Sequence, residues 1–378
     1  MPQPVHILHL HSTFALGGKE ARAVRLMNAF GDKARHTIVS GMPDQLSAQE
    51  AIAPGVRYEI AQDPPPLNGR PSVARYEAMA RYMRRFDLVL TYNWGAMDGV
   101  MARRVFARGT PPLVHHEDGF NADEAMGLKP VRNMFRRIAL GSAHALIVPS
   151  RTLETIALGT WKQAPGKVHR IVNGIATARY AGKRDARAIP GLVRKPGEVV
   201  VGTLAGLRYV KDIPALVRAV GGCSSRIRLV IVGDGPERDN IRNAALAMGL
   251  GDQLVMPGFL PEPHLYVGRF DIMALSSLSE QFPISVVEAM AAGLPIAAPP
   301  VGDIPQMVAP DNAEFITELP GEVRLRDAIE ALARDPELRK KVGAANQAKA
   351  RAEYDEALMI RRYAEVYETA MGRPGTLL

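Results

Sequence analysis

Ser276-Ser277-Leu278-Ser279-Glu280-Gln281-Phe282-Pro283-Ile284-Ser285-Val286-Val287-Glu288-Ala289-Met290-Ala291-Ala292-Gly293-Leu294-Pro295-Ile296 carries the punctuation of one β-α-β unit. The apolar run 272–275 reads as a strand, Pro283 suits a first helical turn, Gly293 suits the helix cap, and 295–298 reads as the next strand. A strand, a short helix and a second strand in this order build a parallel sheet. The same alternation recurs outward. Strands are expected at 5–10, 36–40, 56–60, 87–91, 112–115, 145–149 and 168–172, then at 199–204, 227–232, 253–256, 272–275 and 295–298. The expected fold class is α/β, with two Rossmann-like, doubly wound parallel-sheet domains facing a cleft.

A chain of 378 residues exceeds what one hydrophobic core usually holds, which itself asks for two domains. Hydrophobic residues at 47% and charged residues at 23% argue against disorder and coiled coil. Residues 176–198 hold Arg179, Lys183, Arg184, Arg187, Pro190, Gly191, Pro196 and Gly197, a polar, breaker-rich run that reads as a linker. The domains are therefore expected at 1–178 and 198–354. Cys223 is the single cysteine, so no intramolecular disulfide forms and a reducing, cytoplasmic setting is expected. The first ten residues lack a basic start and a long apolar run, and the most apolar stretch, 284–301, carries Glu288 and three prolines. Neither a secretory leader nor a bilayer-spanning helix is expected.

The formal net charge of +8 is uneven: residues 1–180 hold 23 Lys and Arg against 14 Asp and Glu, whereas 181–378 hold 24 against 25. A basic first half attracts phosphorylated substrates and anionic lipid headgroups, and peripheral contact with an anionic membrane is an expected partner. The clusters Arg81, Arg84, Arg85 and Arg132, Arg136, Arg137 sit at helical spacing, as solvated helix faces do. Nucleic acid is not expected.

Ligands of open α/β sheets sit beyond the carboxyl ends of strands, so the loops there are the candidates for chemistry. Gly17-Gly18 follow the first strand and enter a helix, where a bare backbone and free amides favour an anion. Arg208 and Lys211 lie three apart after strand 199–204; two convergent cations repel unless an anion such as a diphosphate neutralises them. Glu280 and Glu288 straddle the start of the helix quoted above. Glu288 lies in an apolar helix and needs hydrogen-bond donors, for which ribose hydroxyls are suitable. The amides of Ile284, Ser285 and Val286 would meet phosphate oxygens at the same helix start. His9 and His11 share one face of the first strand without a carboxylate or thiol nearby, which points to a structural role.

In these residues the chain resembles the family-4 retaining glycosyltransferases of the GT-B fold, over nearly its full length. The marks are Glu280 and Glu288 with Ala289-Met290-Ala291-Ala292-Gly293-Leu294-Pro295-Ile296, then Arg208 and Lys211, Val232-Gly233-Asp234-Gly235-Pro236-Glu237, Asn173-Gly174-Ile175, and Gly17-Gly18. The resemblance implies transfer from a nucleotide diphosphate sugar, of UDP or GDP type, to a glycan or lipid-linked acceptor in cell-surface polysaccharide or lipopolysaccharide synthesis. It implies that Glu288 holds ribose, Arg208 and Lys211 the phosphates and Glu280 the donor sugar. Gly17, Gly18, Gly233, Phe282, Pro283, Ile284 and Ser285 complete the donor side. The last helix, 355–371, would cross back onto the first domain. The chain departs from the family pattern at Gln281, which stands where a glycine is usual, and after the fifth strand, Val114-His115-His116-Glu117-Asp118-Gly119-Phe120. If the strand end sets the register, His115 or His116 takes the catalytic-histidine position; if Gly119 sets it, Asp118 does. His116 is the catalytic candidate, with His115, Glu117 and Asp118 on the acceptor side.

Charge accumulating on the departing diphosphate would be stabilised by Arg208, Lys211 and the helix amides. No Asp-x-Asp triplet occurs, so metal independence and no cofactor are expected. By resemblance, retention follows same-face attack, with a departing phosphate oxygen as base. A dehydrogenase reading fails at Gly233-Asp234-Gly235-Pro236-Glu237-Arg238, which breaks the dinucleotide fingerprint at its third glycine. A nucleotide-sugar epimerase and a catalytically silent sugar-nucleotide-binding protein are the remaining alternatives.

Overall fold

Short runs of two to seven residues, most of them rich in Val, Ile and Leu and too short for helices, pair as parallel strands in two separate sheets. The structure is a computed structural model that describes residues 4–67, 69–120, 124, 127–182, 185, 187–319 and 321–378. The chain divides into two compact units, Met1–Asn173 with Met359–Leu378, and Gly174–Leu358.

The first unit holds β1 (Val5–His11), β2 (Ala34–Ser40), β3 (Arg57–Ile60), β4 (Leu88–Tyr92), β5 (Leu113–His116), β6 (Ala145–Val148) and β7 (Val168–Arg170), in the sheet order β3-β2-β1-β4-β5-β6-β7. Its helices are α1 (Gly18–Phe30), α2 (Val73–Met83), α3 (Met97–Val105), α4 (Pro130–Leu140) and α5 (Arg151–Gly159). Because side chains alternate along a strand, β1 sends Val5 and Ile7 into one buried cluster and Leu8 and Leu10 into another, so the sheet has a core on each face. Ser72 and Ser150 start α2 and α5 by accepting from the amides of Arg75 and Leu153.

The second unit holds β8 (Val199–Leu204), β9 (Ile227–Val232), β10 (Leu254–Gly258), β11 (Ile272–Ala274) and β12 (Ile296–Ala297), in the order β10-β9-β8-β11-β12. Its helices are α6 (Ile213–Gly221), α7 (Arg238–Ala247), α8 (Ile284–Ala291), α9 (Ile304–Met307), α10 (Glu322–Arg334) and α11 (Pro336–Glu353). The last helix, α12 (Glu356–Met371), starts in this unit, and from Met359 onward belongs to the first, where Met359, Tyr363, Ala364 and Tyr367 enter the core beside Ile7, Tyr92 and Val114. All twelve expected strands form, and no helix of the described residues is long and apolar enough to cross a membrane.

The expected boundary at 178 and the linker from 176 need correction. The first unit ends at Asn173 because the next residues are knitted to the end of α11: Ile175 bridges Asp355, its amide donates to Tyr354 O at 3.0 Å, and Thr177 Oγ1 donates to Asp355 Oδ2 at 2.6 Å. A Cβ on Gly174 would stand 2.9 Å from Asp355 O, so this approach admits glycine alone. Thr177, Ile189 and Leu192 are buried, which a solvated linker would not show. Lys183, Arg184 and Ala186 lie outside the described residues.

The Val5–Ile7 face of the first sheet also buries imidazoles. His9 Nε2 lies 3.0 Å from His36 Nδ1 and its Nδ1 3.2 Å from the Tyr92 hydroxyl, while His11 and His116 each stack with the Tyr92 ring, at 4.0 and 4.6 Å between centroids. Burial lowers the pKa of all four, with neighbouring cations or imidazoles adding to it; His36 falls to about 4 and His116 to about 3. The unfolded chain protonates these groups as pH falls below about 6.5, whereas the folded chain holds them neutral. Stability is therefore full above pH 6.5 and drains away as pH falls towards 4, by at most about 1.4 kcal/mol per pH unit for each such histidine. Thermal melts should show the midpoint falling from pH 7 to pH 5, above the range in which carboxylates protonate, and His36→Gln should flatten that fall. A melting point unchanged over this interval would contradict the assignment.

Candidate functional site

In the second unit, the loop after β8 is held by backbone bonds: the Leu207 amide donates to Asp234 O at 2.9 Å, and the Glu237 amide to Leu207 O at 3.0 Å. Gly233, at φ +140°, makes this possible, since a Cβ there would sit 1.8 Å from Ala205 O. The structure thus gives the predicted donor-side Gly233 a packing role in shaping the loop that carries Arg208. That loop is tied to the one after β11: Leu278 N donates to Val210 O at 2.9 Å, and Ser276 Oγ to Lys211 O at 2.9 Å. The result brings Lys211 Nζ to 2.5 Å from Glu280 Oε1, which also accepts from Ser277 Oγ at 2.8 Å.

For Lys211 part of the expected neutralisation comes from the protein itself, since Glu280 pairs with it. Arg208 is exposed, and its side chain has no partner among the described residues. One guanidinium is therefore left for an incoming anion, beside an ammonium whose carboxylate partner is only partly buried.

The next loop leads into α8. Phe282 and Pro283 are buried, and the Phe282 ring stands edge-on to Tyr354 at 5.5 Å, so both anchor the loop rather than present a surface. The Val286 amide donates to Pro283 O at 3.1 Å and is not open to a ligand; the amides of Ile284 and Ser285, at the helix start, have no backbone partner among the described residues. Glu288 accepts from the Tyr180 hydroxyl at 3.0 Å. Tyr180 is thus one of the donors this carboxylate needs inside an apolar helix, and it lies in the stretch whose composition reads as linker. Burial and, after it, the charge of Glu288 push the Tyr266 phenol upward, so that it stays neutral beside the carboxylate.

In the first unit the strand end 113–118 separates its residues sharply. His116 is fully buried: its Nδ1 lies 3.1 Å from Thr91 O and its Nε2 2.8 Å from the Tyr367 hydroxyl. With both ring nitrogens engaged in the core, the catalytic candidacy of His116 is corrected to a packing role. His115 and Glu117, acceptor-side candidates, are also fully buried. His115 Nδ1 bonds Thr91 Oγ1 at 2.8 Å, and Glu117 accepts from Arg136 Nε at 3.1 Å. Arg136, read from spacing as part of a solvated face, is instead inside, reaching Glu124 at 3.2 Å and lying over the rings of Trp94, Phe120 and Trp161.

Asp118 alone of the four retains some exposure. Arg22 of α1 grips it with both terminal nitrogens, Nη2 standing 2.7 Å from Oδ2, and also donates to Asn173 Oδ1 at 3.1 Å; the Asn93 side chain accepts the Asp118 amide at 2.7 Å. Burial alone would raise the Asp118 carboxyl, but Arg22 outweighs it and holds the pKa below the usual range. Gly17 and Gly18 lie exposed at the start of the same helix, followed by Lys19, whose pKa burial brings down to about 8 and which pairs with Glu20. Strand ends and helix start therefore assemble Gly17, Gly18, Lys19, Arg22, Asn93, Asp118 and Asn173 in one unit. Of these, Lys19, Arg22 and Asn93 went unread in the sequence; the motif Asn173-Gly174 was the available signal. Among the described residues, no group of three His, Cys, Asp or Glu could hold a metal ion.

Residues 5–179 match the family model described as Glycosyltransferase Family 4, and residues 186–349 the one described as Glycosyl transferases group 1. The chain is 26% identical to the 2-deoxystreptamine N-acetyl-D-glucosaminyltransferase of Streptomyces fradiae, across 95% of this chain and 92% of that one. Among solved structures it resembles HepE of Anabaena, crystallised with UDP and glucose, with a TM-score of 0.78 at 18% identity over 97% of this chain and 100% of the other. It also resembles WaaG, a glycosyltransferase involved in lipopolysaccharide biosynthesis, with a TM-score of 0.71 at 13% identity over 96% and 99%. Profiles that together span both units, and two all-parallel sheets built as in these structures, establish that the chain belongs to glycosyltransferase family 4 and is a glycosyltransferase of the GT-B fold.

Proposed function

We propose that this glycosyltransferase moves a sugar from a UDP-sugar to a glycan or lipid-linked acceptor, with retention of the anomeric configuration and without a metal ion. The observation that carries this reading is the convergence of Arg208, Lys211 and Glu280 at the carboxyl ends of β8 and β11, beside the start of α8. Arg208 takes the diphosphate with bidentate contacts, and Lys211 adds a point charge. Donor arrival loosens Lys211 from Glu280, which frees the carboxylate to accept a sugar hydroxyl. As the glycosidic bond stretches, charge grows on the diphosphate, where these cations and the amides of Ile284 and Ser285 are already oriented. The absence of an Asp-x-Asp triplet supports metal independence. Since His116 has no free ring nitrogen, the base in this reading is the departing phosphate oxygen, attacking and leaving groups lying on one face of the sugar. UDP is favoured over GDP because HepE was crystallised with UDP.

A cell-surface acceptor, as for the lipopolysaccharide enzyme WaaG, is favoured by α4. This helix turns Arg132 and Arg136 inward to Glu124 and Glu117, and Val131, Met134 and Ile138 outward, 82%, 55% and 47% exposed. At 100° per residue those three fall within roughly 60° of arc, with Arg137 beside them. The first unit carries 25 Lys and Arg against 16 Asp and Glu, which suits an anionic lipid surface. The second reading is a small aminocyclitol acceptor, supported by the likeness to the 2-deoxystreptamine N-acetyl-D-glucosaminyltransferase of Streptomyces fradiae; it needs no membrane.

Transfer assays in EDTA should retain activity, and Arg208→Ala with Lys211→Ala should lower kcat/KM by about 10²-fold or more; undiminished turnover would refute the reading. Tyr180→Phe should raise the donor KM several-fold with little change in kcat, because it unseats Glu288 without touching the phosphates; an unchanged KM would remove Glu288 from the ribose role. Vesicles containing phosphatidylglycerol should co-sediment the protein at low salt. Val131→Ser, Met134→Ser and Ile138→Ser together should abolish this, and a protein that stays in the supernatant would favour the aminocyclitol reading.

A further inference from the structure

Three adjacent strands of the first sheet begin with a row of side chains in register: His6 on β1 is opposite Arg35 on β2, and Arg35 is opposite Arg57 on β3. Residues in direct register point to the same face of a sheet, so the two arginines stand side by side. Asp87, just before β4, accepts the His6 amide at 2.8 Å and pairs with Arg373 Nη1 at 3.1 Å. These residues, with Pro4, line a hollow of about 400 Å³. It opens at the amino ends of the strands, whereas Gly17, Gly18 and Asp118 lie at their carboxyl ends.

The charges around the hollow do not balance. Arg35, Arg57 and Arg373 face one carboxylate, Asp87, already engaged twice, and neither Arg35 nor Arg57 pairs with a carboxylate among the described residues. Beyond the hollow's own lining, His6 feels Arg85 and Glu59, which are of opposite sign, and Glu59 accepts from the Thr37 hydroxyl. An excess of two positive charges remains. Like charges in cross-strand register repel, and an anion placed between them removes that repulsion while accepting their N–H groups. Two charges, several donors in planar forks and a volume far larger than a single halide ion match a dianionic phosphate group.

We propose that this hollow is a second anion site, binding a phosphate group, free or as the headgroup of a phosphomonoester lipid, between Arg35, Arg57 and Arg373. It is independent of the donor site, so its failure leaves the transfer reading untouched, and the transfer assay tests that reading separately. Titration calorimetry of the full chain with inorganic phosphate, at constant ionic strength, tests it. Arg35→Gln with Arg57→Gln should weaken binding at least about tenfold, Arg373→Gln several-fold, and Arg208→Gln should leave it intact. Melting curves check that the variants fold, and Arg373→Gln, exposed near the chain end, keeps the test valid if the double variant does not. Absence of phosphate binding, equal binding by the Arg35 and Arg57 variant, or loss on Arg208→Gln alone would overturn the proposal. Phosphatidic acid vesicles, with phosphatidylcholine vesicles as control, separate the sources: capture that depends on Arg35 and Arg57 and is competed by phosphate identifies a headgroup, and phosphate binding without capture identifies a soluble ion.

Discussion

Parallel strands constrain everything else in this molecule. Such strands cannot be joined by tight hairpins, so each must be followed by a crossover, and every crossover leaves from the same edge of its sheet. The twelve strands of the described residues, in two sheets, therefore gather their exit loops along two edges, and the groups available for chemistry are those that the loops expose there. In the second unit the edge is stiffened by backbone bonds between the loops after β8, β9 and β11, so Arg208, Lys211 and Glu280 are carried on a fixed frame. Preorganisation of this kind spares an enzyme the cost of orienting dipoles at the moment of reaction.

Burial of charge governs the first unit. Arg136, Glu117 and Glu124 lie out of water, and each is tolerable only because the others are present; three aromatic rings around the guanidinium supply the remaining contact. Supplying these charges brings Arg136 inside beside Ala139 and Leu140 of α4 and leaves Val131, Met134 and Ile138 facing outward. Arg22 and Asp118 repeat the principle at the carboxyl edge of the sheet, where a nearly buried ionised pair leaves a small part of the Asp118 carboxylate exposed.

The fold was legible because its information is local: short continuous apolar runs, Pro283 and Gly293 around α8, and breakers between elements are all read within a few residues. The loops bearing Arg208, Lys211 and Glu280 were legible for the same reason, since position after a strand places a side chain at the functional edge. What escaped reading is non-local. Arg22 meets Asp118 across 96 residues, and Glu288 meets Tyr180 across 108. Nothing in the neighbourhood of Arg22 or Tyr180 announces such a partner, and the composition around Tyr180 is that of a linker. His116 looked available because its strand ends there; its burial depends on Tyr367, 251 residues away.

That last distance bears on biogenesis. The core of the first unit lacks Met359, Tyr363, Ala364, Tyr367 and Leu377 until the segment from 359 onward has been made, and the His116 imidazole has no Tyr367 hydroxyl to meet before then. Until then the apolar side chains that Met359, Tyr363, Ala364 and Tyr367 cover have no partner from that segment, while the 185 residues of the second unit are being made. The unit that starts first along the chain is therefore completed only after all of the second unit has been made.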